Sequence, residues 1–325
     1  MDRKPPQKCL QTDKLSIGYA PENPLLNGLD LTLYAGELVC FMGQNGVGKS
    51  TLIRTLAGLQ KPLTGEVEYP LHDKSTNLLP KNLAVVLTDK VTATNMTVYD
   101  VVSFGRYPYM NWAVKLSGND HEIIGETLDV VRIHHLKDRR LHELSDGQMQ
   151  MVMIARAVVQ DTPLILLDEP TAHLDLNNRL EIMNLLRKLA HDSGKAILVS
   201  THELDLALQT ADLIWLASNE KKIITGIPED LVLNGAFDNI FQFKGFDLKT
   251  GKIQHEPHRK LNIKLIGSGH DYLWTKNAFE RNGFSITDED GSHTIRVEII
   301  EGKLQWILDN EMNFSSLQVL LSHLI

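Results

Sequence analysis

The sequence predicts an α/β protein with a doubly wound parallel core, strands at its N-terminal end, an inserted helical subdomain, and a small α+β domain at its C-terminal end. Three observations carry this reading. Short apolar runs alternate with amphipathic stretches, as in a parallel sheet flanked by helices. A glycine-rich loop, GQNGVGKST at 43–51, lies between one such run and a helix-like segment. The character of the chain changes near residue 254.

Taken in order, residues 10–42 alternate as strands do, with a break at Pro21 to Pro24. The run LVCFM (38–42) leads into the glycine loop, and LIRTLA (52–57) follows it as a helix. Residues 65–69 and 83–87 read as two further strands. From 96 to about 160 the pattern turns helical, with Thr97, Asn119 or Asp120, and Ser145 as candidate N-caps. Residues 163–168 and 196–200 are short, continuous apolar runs suited to buried parallel strands, and the segment between them reads as an amphipathic helix. Domain one is expected to span 1–253. Beyond it, HEPHRK (255–260) reads as a linker, 261–266 as a strand and 270–282 as a helix. Two alternating runs, 294–300 and 303–308, are joined by Glu301-Gly302, a hairpin signal, and a last helix ends at Ile325.

Composition excludes several classes. Lys plus Arg is 33 and Asp plus Glu is 41, a net charge of −8. That balance gives no general pull toward nucleic acid or an anionic membrane, and no nucleic-acid partner is expected. Two cysteines, Cys9 and Cys40, do not make a disulfide framework, which suits a reducing compartment. No signal-peptide core and no uninterrupted stretch of 18 apolar residues occurs. The expectation is a cytoplasmic chain whose membrane role comes through partners.

The glycine loop has a physical reason. A triphosphate needs many backbone N–H donors on one small surface, and side chains there would block its approach. Gly43, Gly46 and Gly48 remove that obstruction, Lys49 supplies a point charge to the outer phosphates, Ser50 offers a hydroxyl to Mg²⁺, and the following helix aims its N-terminal N–H groups at the anion. Hydrolysis also needs a metal anchor and a base. In LLDEP (166–170), Asp168 at a strand end can hold Mg²⁺, and Glu169 just beyond can polarise the attacking water.

The segment Leu144-Ser-Asp-Gly-Gln148 opens a predicted helix. Together with Tyr19 ahead of the phosphate loop, LILLDEP, the loop Thr171-Ala-His-Leu-Asp175, and His202 after the strand at 196–200, it resembles the ATP-binding cassette (ABC) ATPases over roughly residues 10–245. The resemblance implies a P-loop NTPase fold with an N-terminal antiparallel β layer and an inserted helical subdomain, using ATP and Mg²⁺. It implies that Tyr19 stacks on the adenine, while Gly43, Asn45, Gly46, Gly48, Lys49, Ser50 and Thr51 surround the phosphates. Ser145, Gly147 and Gln148 would contact the γ-phosphate of ATP held by a partner subunit, giving a head-to-tail homodimer with two ATPs at its interface. Asp175 would couple the two sites. Lys49, Glu169 and His202 are the expected catalytic groups.

Two positions depart from the family pattern. A glutamine normally follows the strand at 83–87 and touches Mg²⁺; here Thr88 and Asp89 stand there. Thr88 keeps a hydroxyl but is shorter, so Thr88 or Asp89 is expected to reach the metal through water. Asp146 replaces a common glycine, and an acid in a first helical turn is favourable by about 0.3–1 kcal/mol.

The segment Gly105-Arg-Tyr-Pro-Tyr-Met-Asn-Trp112 resembles that of importers of iron complexes (siderophore or haem) and cobalamin. Its aromatics can receive a coupling helix from an integral membrane permease or pack against the inserted helices. On this reading the chain is the ATP-hydrolysing subunit of an importer. It is peripheral on the cytosolic face of the membrane and linked only indirectly to a solute-binding protein. A soluble cassette ATPase for metal-cluster assembly and a nucleotide-dependent regulator are the alternatives. A translation-factor type would carry two phosphate loops, and a DNA-repair type a long coiled-coil insertion. In residues 254–325, Gly267-Ser-Gly269 before a helix and His255 with His258 are short patterns that by themselves mark a turn and a linker.

Overall fold

The structure is a computed structural model that describes residues 7–71, 79–88, 95–110, 112, 114–243, 246–248, 252–253 and 255–324. Two compact units result, Met1–Gln242 and Phe243–Ile325. The composition change near Gln254 comes later than this division. The residues between include two very short strands, β11 (Phe246–Asp247) and β12 (Lys252–Ile253), which pair with each other.

In the first unit, β1 (Lys8–Ile17) pairs antiparallel with β2 (Leu26–Leu29), β3 (Thr32–Tyr34) and β5 (Thr64–Glu68). This is the N-terminal β layer. The core sheet combines β4 (Leu38–Met42), β6 (Leu83–Val86), β7 (Leu164–Asp168), β8 (Ala196–Ser200), β9 (Leu213–Ala217) and β10 (Ile223–Gly226). Their spatial order is β10-β9-β4-β8-β7-β6, parallel except for β10. Strands β4, β7 and β8 are buried at every position, which explains why they read as unbroken apolar runs.

Around this sheet lie α1 (Lys49–Leu56), α5 (Leu176–Ser193), α6 (Leu204–Thr210), α7 (Pro228–Leu233) and α8 (Ala236–Phe241). The helical layer holds α2 (Val98–Ser103), α3 (Gly118–Val130) and α4 (Asp146–Val158). Thr97 and Ser145 cap α2 and α4 as expected, each within a reciprocal capping box. For α3 the cap is Ser117, not Asn119 or Asp120. Asp120 is instead the third helical residue and closes the box by accepting from the Ser117 N–H at 2.9 Å.

Arg106 and Tyr109 of the 105–112 segment are packing groups. Arg106 is buried and ion-paired to Asp120, and the Tyr109 ring stacks 4.0 Å from its guanidinium carbon. All three aromatics of the segment are exposed, Tyr109 least at 36%, and Tyr109 alone of the three stacks on Arg106 and donates its hydroxyl to the Gln160 carbonyl at 3.0 Å.

The second unit holds a five-stranded sheet. Its strands are β13 (Asn262–Ile266), β14 (Ser285–Thr287), β15 (His293–Ile300), β16 (Lys303–Leu308) and β17 (Met312–Phe314), in the order β14-β13-β15-β16-β17. With α9 (Gly269–Arg281) and α10 (Leu317–Leu324) it encloses a core that includes Ile263, Phe279, Phe284, Ile295 and Leu320. Glu301 and Gly302 both take positive φ, 50° and 74°, as a two-residue hairpin turn requires. Gly267 is set by packing, since a Cβ there would lie 3.1 Å from Val297 Cβ. The His258 ring lies against Gly283. Among the described residues no cluster of three metal-ligating side chains occurs, and no helix is long and apolar enough to cross a membrane.

Candidate active site

The C-terminal ends of four adjacent parallel strands gather the chemistry. Strand β4 delivers the glycine loop, β8 delivers Ser200 and then His202, β7 ends on Asp168 and leads to Glu169, and β6 is followed by Thr88. This is the edge where doubly wound sheets bind ligands.

The loop is built as its glycines require. Gly46 and Gly48 have φ of 82° and 107°, the left-handed region, and Gly48 precedes the first residue of α1. A Cβ at Gly43 would come within 2.9 Å of both Ala217 Cβ and Val47 Cγ1. Gln44 Nε2 donates to the Ile240 carbonyl at 2.5 Å, which ties the loop to α8. Asn45 and Ser50 are exposed, while Thr51 is buried in the first turn of α1. Tyr19 is 80% exposed, yet its hydroxyl lies 3.2 Å from Thr51 Oγ1, so an open aromatic face stands beside the phosphate loop.

Lys49 is buried and donates to the Gly43 carbonyl at 3.3 Å, with Glu169 Oε1 3.7 Å from its ammonium. Glu169 Oε2 lies 3.6 Å from His202 Nδ1. One carboxylate therefore stands between the cation of the loop and the exposed imidazole. Glu169 has φ of 46°, and its N–H is shared between the Ser200 carbonyl (3.1 Å) and Ser200 Oγ (3.0 Å). Behind it, Asp168 accepts from Ser200 Oγ at 2.6 Å and from Thr88 Oγ1 at 2.9 Å. The Thr88 hydroxyl thus bonds Asp168 directly. Asp89 lies outside the described residues.

Next to these groups an open cavity of about 210 Å³ is lined in part by Thr88, Asp168, Glu169, His173, Asp146 and Met149, which joins them to the start of α4. There the Ser145 hydroxyl accepts from the Gln148 N–H at 3.3 Å, and Gln148 Oε1 accepts from the Ser145 N–H at 3.1 Å. Gly147 packs on Asn178 so closely that a Cβ would meet its side chain at 2.8 Å. Asn178 in turn donates to both oxygens of Asp175, the N-cap of α5, at 2.9 and 2.8 Å.

Sequence reasoning missed Ser200 and Asn178. Ser200 ends an apolar strand two residues before His202, but its place beside Asp168 needs the sheet register; Asn178 needs the fold of α4 on α5.

The oxygens gathered at Asp168 are hard, its own carboxylate with the hydroxyls of Thr88 and Ser200 bonded to it, a setting that suits Mg²⁺. The left-handed Gly46 and Gly48 suit a polyphosphate, whereas Gly43 is required by its close approach to Ala217 and Val47.

The ABC transporter family model matches residues 26–172, and the model of the iron ABC transporter C-terminal domain matches residues 259–324. Over 259 residues the chain is 38% identical to an uncharacterised ABC transporter ATP-binding protein of Methanocaldococcus jannaschii, spanning 76% of this chain and 89% of that one. The chain belongs to the ABC transporter ATPases. This ABC ATPase is also 34% identical over 241 residues to a petrobactin import ATP-binding protein of Bacillus anthracis, covering 73% of this chain and 88% of the relative. Among solved structures, a metal-chelate type ABC transporter in an inward-facing conformation aligns with a TM-score of 0.65 at 29% identity, over 73% of this chain and 90% of its own. The ABC ATPase therefore carries, besides its cassette, a C-terminal domain characteristic of iron transporters.

Proposed function

We propose that this ABC ATPase energises the import of iron complexes, siderophore-bound iron first, as a homodimer docked on the cytosolic face of an integral membrane permease. The observation that carries the cargo is the second unit, whose residues 259–324 match the iron ABC transporter C-terminal domain. The petrobactin importer among its relatives supports the same reading.

In this mechanism ATP lies on the loop from Gly43 to Thr51, with Asn45 and the loop N–H groups at the phosphates and Tyr19 stacked on the adenine. Lys49 turns its ammonium from Glu169 and the Gly43 carbonyl to the outer phosphates. Ser50 and Asp168, with Thr88 beside them, would hold Mg²⁺, which would neutralise charge on the phosphates when bound. Glu169 takes the proton of the attacking water, and His202, 3.6 Å from that carboxylate, donates to the γ-phosphate. Ser145, Gly147 and Gln148 of one subunit face the ATP of the other, and Asp175, bonded to Asn178 under Gly147, links the two sites. Closure moves the helical layer and with it the permease; a solute-binding protein delivers the complex on the far side.

Steady-state ATPase assays of the purified chain and its Glu169→Gln variant, with Mg²⁺, test the enzyme. Turnover is expected to fall about 10²- to 10⁴-fold in the variant, which elutes as an ATP-bound dimer in size exclusion. Uptake of ferric siderophore by cells lacking this chain tests the cargo. Undiminished iron uptake alongside lost cobalamin uptake would reject it.

A further inference from the structure

Ser200 is the last residue of β8 and pairs with Asp168 in the parallel register. It is fully buried. Its single proton is committed to Asp168 Oδ1 at 2.6 Å, which leaves its lone pairs to accept, and the Glu169 N–H takes one of them at 3.0 Å. The other carboxylate oxygen, Oδ2, accepts from Thr88 Oγ1 at 2.9 Å. A hydroxyl therefore holds each oxygen of Asp168, and each keeps a further lone pair. Rotation of an aspartate carboxylate about its last bond is otherwise broad. Two donors arriving from different places on the sheet edge, the end of β8 and the segment that follows β6, select one orientation.

We propose that Ser200 and Thr88 are positioning residues that fix the Asp168 carboxylate for a divalent cation, and that Ser200 also holds the Glu169 peptide in its left-handed conformation. The inference rests on the proposed roles of Asp168 as metal anchor and Glu169 as base. It assigns Thr88 a different task from a direct or water-bridged metal contact: the threonine acts through Asp168. It gives Ser200 a role where none was assigned. The two carboxylates that divide the work, one for the metal and one for water, share a single serine as their common support.

Mn²⁺ binding to the full chain with a non-hydrolysable ATP analogue, followed by electron paramagnetic resonance, tests this without turnover. Ser200→Ala should weaken Mn²⁺ about tenfold and Thr88→Val in the same direction, since partners that orient a metal ligand are typically worth about 10- to 100-fold in affinity. Ser200→Thr, which keeps the hydroxyl, should bind Mn²⁺ much as the unaltered chain does. Metal-free affinity for the analogue should stay the same in all three, a pattern that general loosening of the fold does not give. Thr88 is exposed, so Thr88→Val carries the test even where a change at buried Ser200 harms folding. Unaltered Mn²⁺ binding in both hydroxyl-deleting variants, with binding lost in Asp168→Asn, overturns the positioning role alone. Unaltered binding in Asp168→Asn as well overturns the metal-anchor reading and this inference with it.

Discussion

Arg106 and Asp120 form an ion pair of 2.8 Å, Nε to Oδ1, with both side chains almost wholly removed from solvent. The Arg106 guanidinium also donates to the Val159 carbonyl at 3.1 Å, so one cation joins the 105–112 segment, the start of α3 and the end of α4. Hydrogen bonds from the Ser117 hydroxyl and N–H, followed by Arg106, hold the Asp120 carboxyl down at about 2, against an ordinary value of 3.8. The folded state thus binds this proton more weakly than the unfolded chain does. The resulting stability is fully present above about pH 4 and is lost as pH falls toward 2. Asp120→Asn is expected to cost about 3–5 kcal/mol at neutral pH, since it leaves a buried guanidinium without its counter-charge, and to flatten the acid limb of a urea-midpoint against pH profile. An unchanged acid limb would mean that Asp120 does not govern it.

Gly48→Ala places a Cβ on a residue with φ of 107° and 3.2 Å from Leu25 Cβ. A left-handed non-glycine residue costs about 1–2 kcal/mol, so the thermal midpoint should fall. ATP binding, read by a fluorescent analogue, should weaken beyond that loss because the same Cβ re-aims the first N–H of α1. Equal affinity in the variant would show that the loop tolerates a side chain there.

Gly147→Ala is expected to push Asn178 off Asp175, because the new Cβ would meet Asn178 Cγ at 2.8 Å. The consequence is read in cooperativity: the Hill coefficient for ATP should drop toward one while single-site nucleotide affinity stays unchanged. Adding Asn178→Ala relieves the clash but not the lost Asp175 contact, so cooperativity should stay low while the thermal midpoint recovers. Recovery of both would place the effect in packing alone.

Cys9 and Cys40 are buried free thiols. Burial pushes the Cys40 thiol up to about 12 and raises that of Cys9 as well. With almost no thiolate at pH 8, neither should react with a disulfide reagent in the native chain, and both should react in guanidinium. Rapid native labelling would report local opening of β1 or β4.

The core strands were legible because burial on both faces writes itself as an unbroken apolar run; residues 196–200 are bounded correctly for that reason. Strand β9 carries the same signal in Leu-Ile-Trp-Leu and was there to be read, whereas β14 and β17 have three residues each and form only because neighbours pair with them. Ser117 was legible too, as Ser-x-x-Asp, but adjacent Asn119 and Asp120 offered competing caps. Of the site, the loop and LLDEP stood out because each motif is local. Ser200 did not, since a serine acquires meaning beside an aspartate only through a register that joins residues 32 positions apart.

Tyr19 has one further consequence. Its hydroxyl lies 3.2 Å from Thr51 Oγ1 while its ring lies open, so on the proposed reading a base arriving there meets a flat face held beside the phosphate loop. Stacking rewards flatness and is indifferent to the pattern of groups around the purine edge. On the proposed reading the chain tells a charged fuel from a spent one through its phosphates, and guanine in place of adenine should serve it nearly as well.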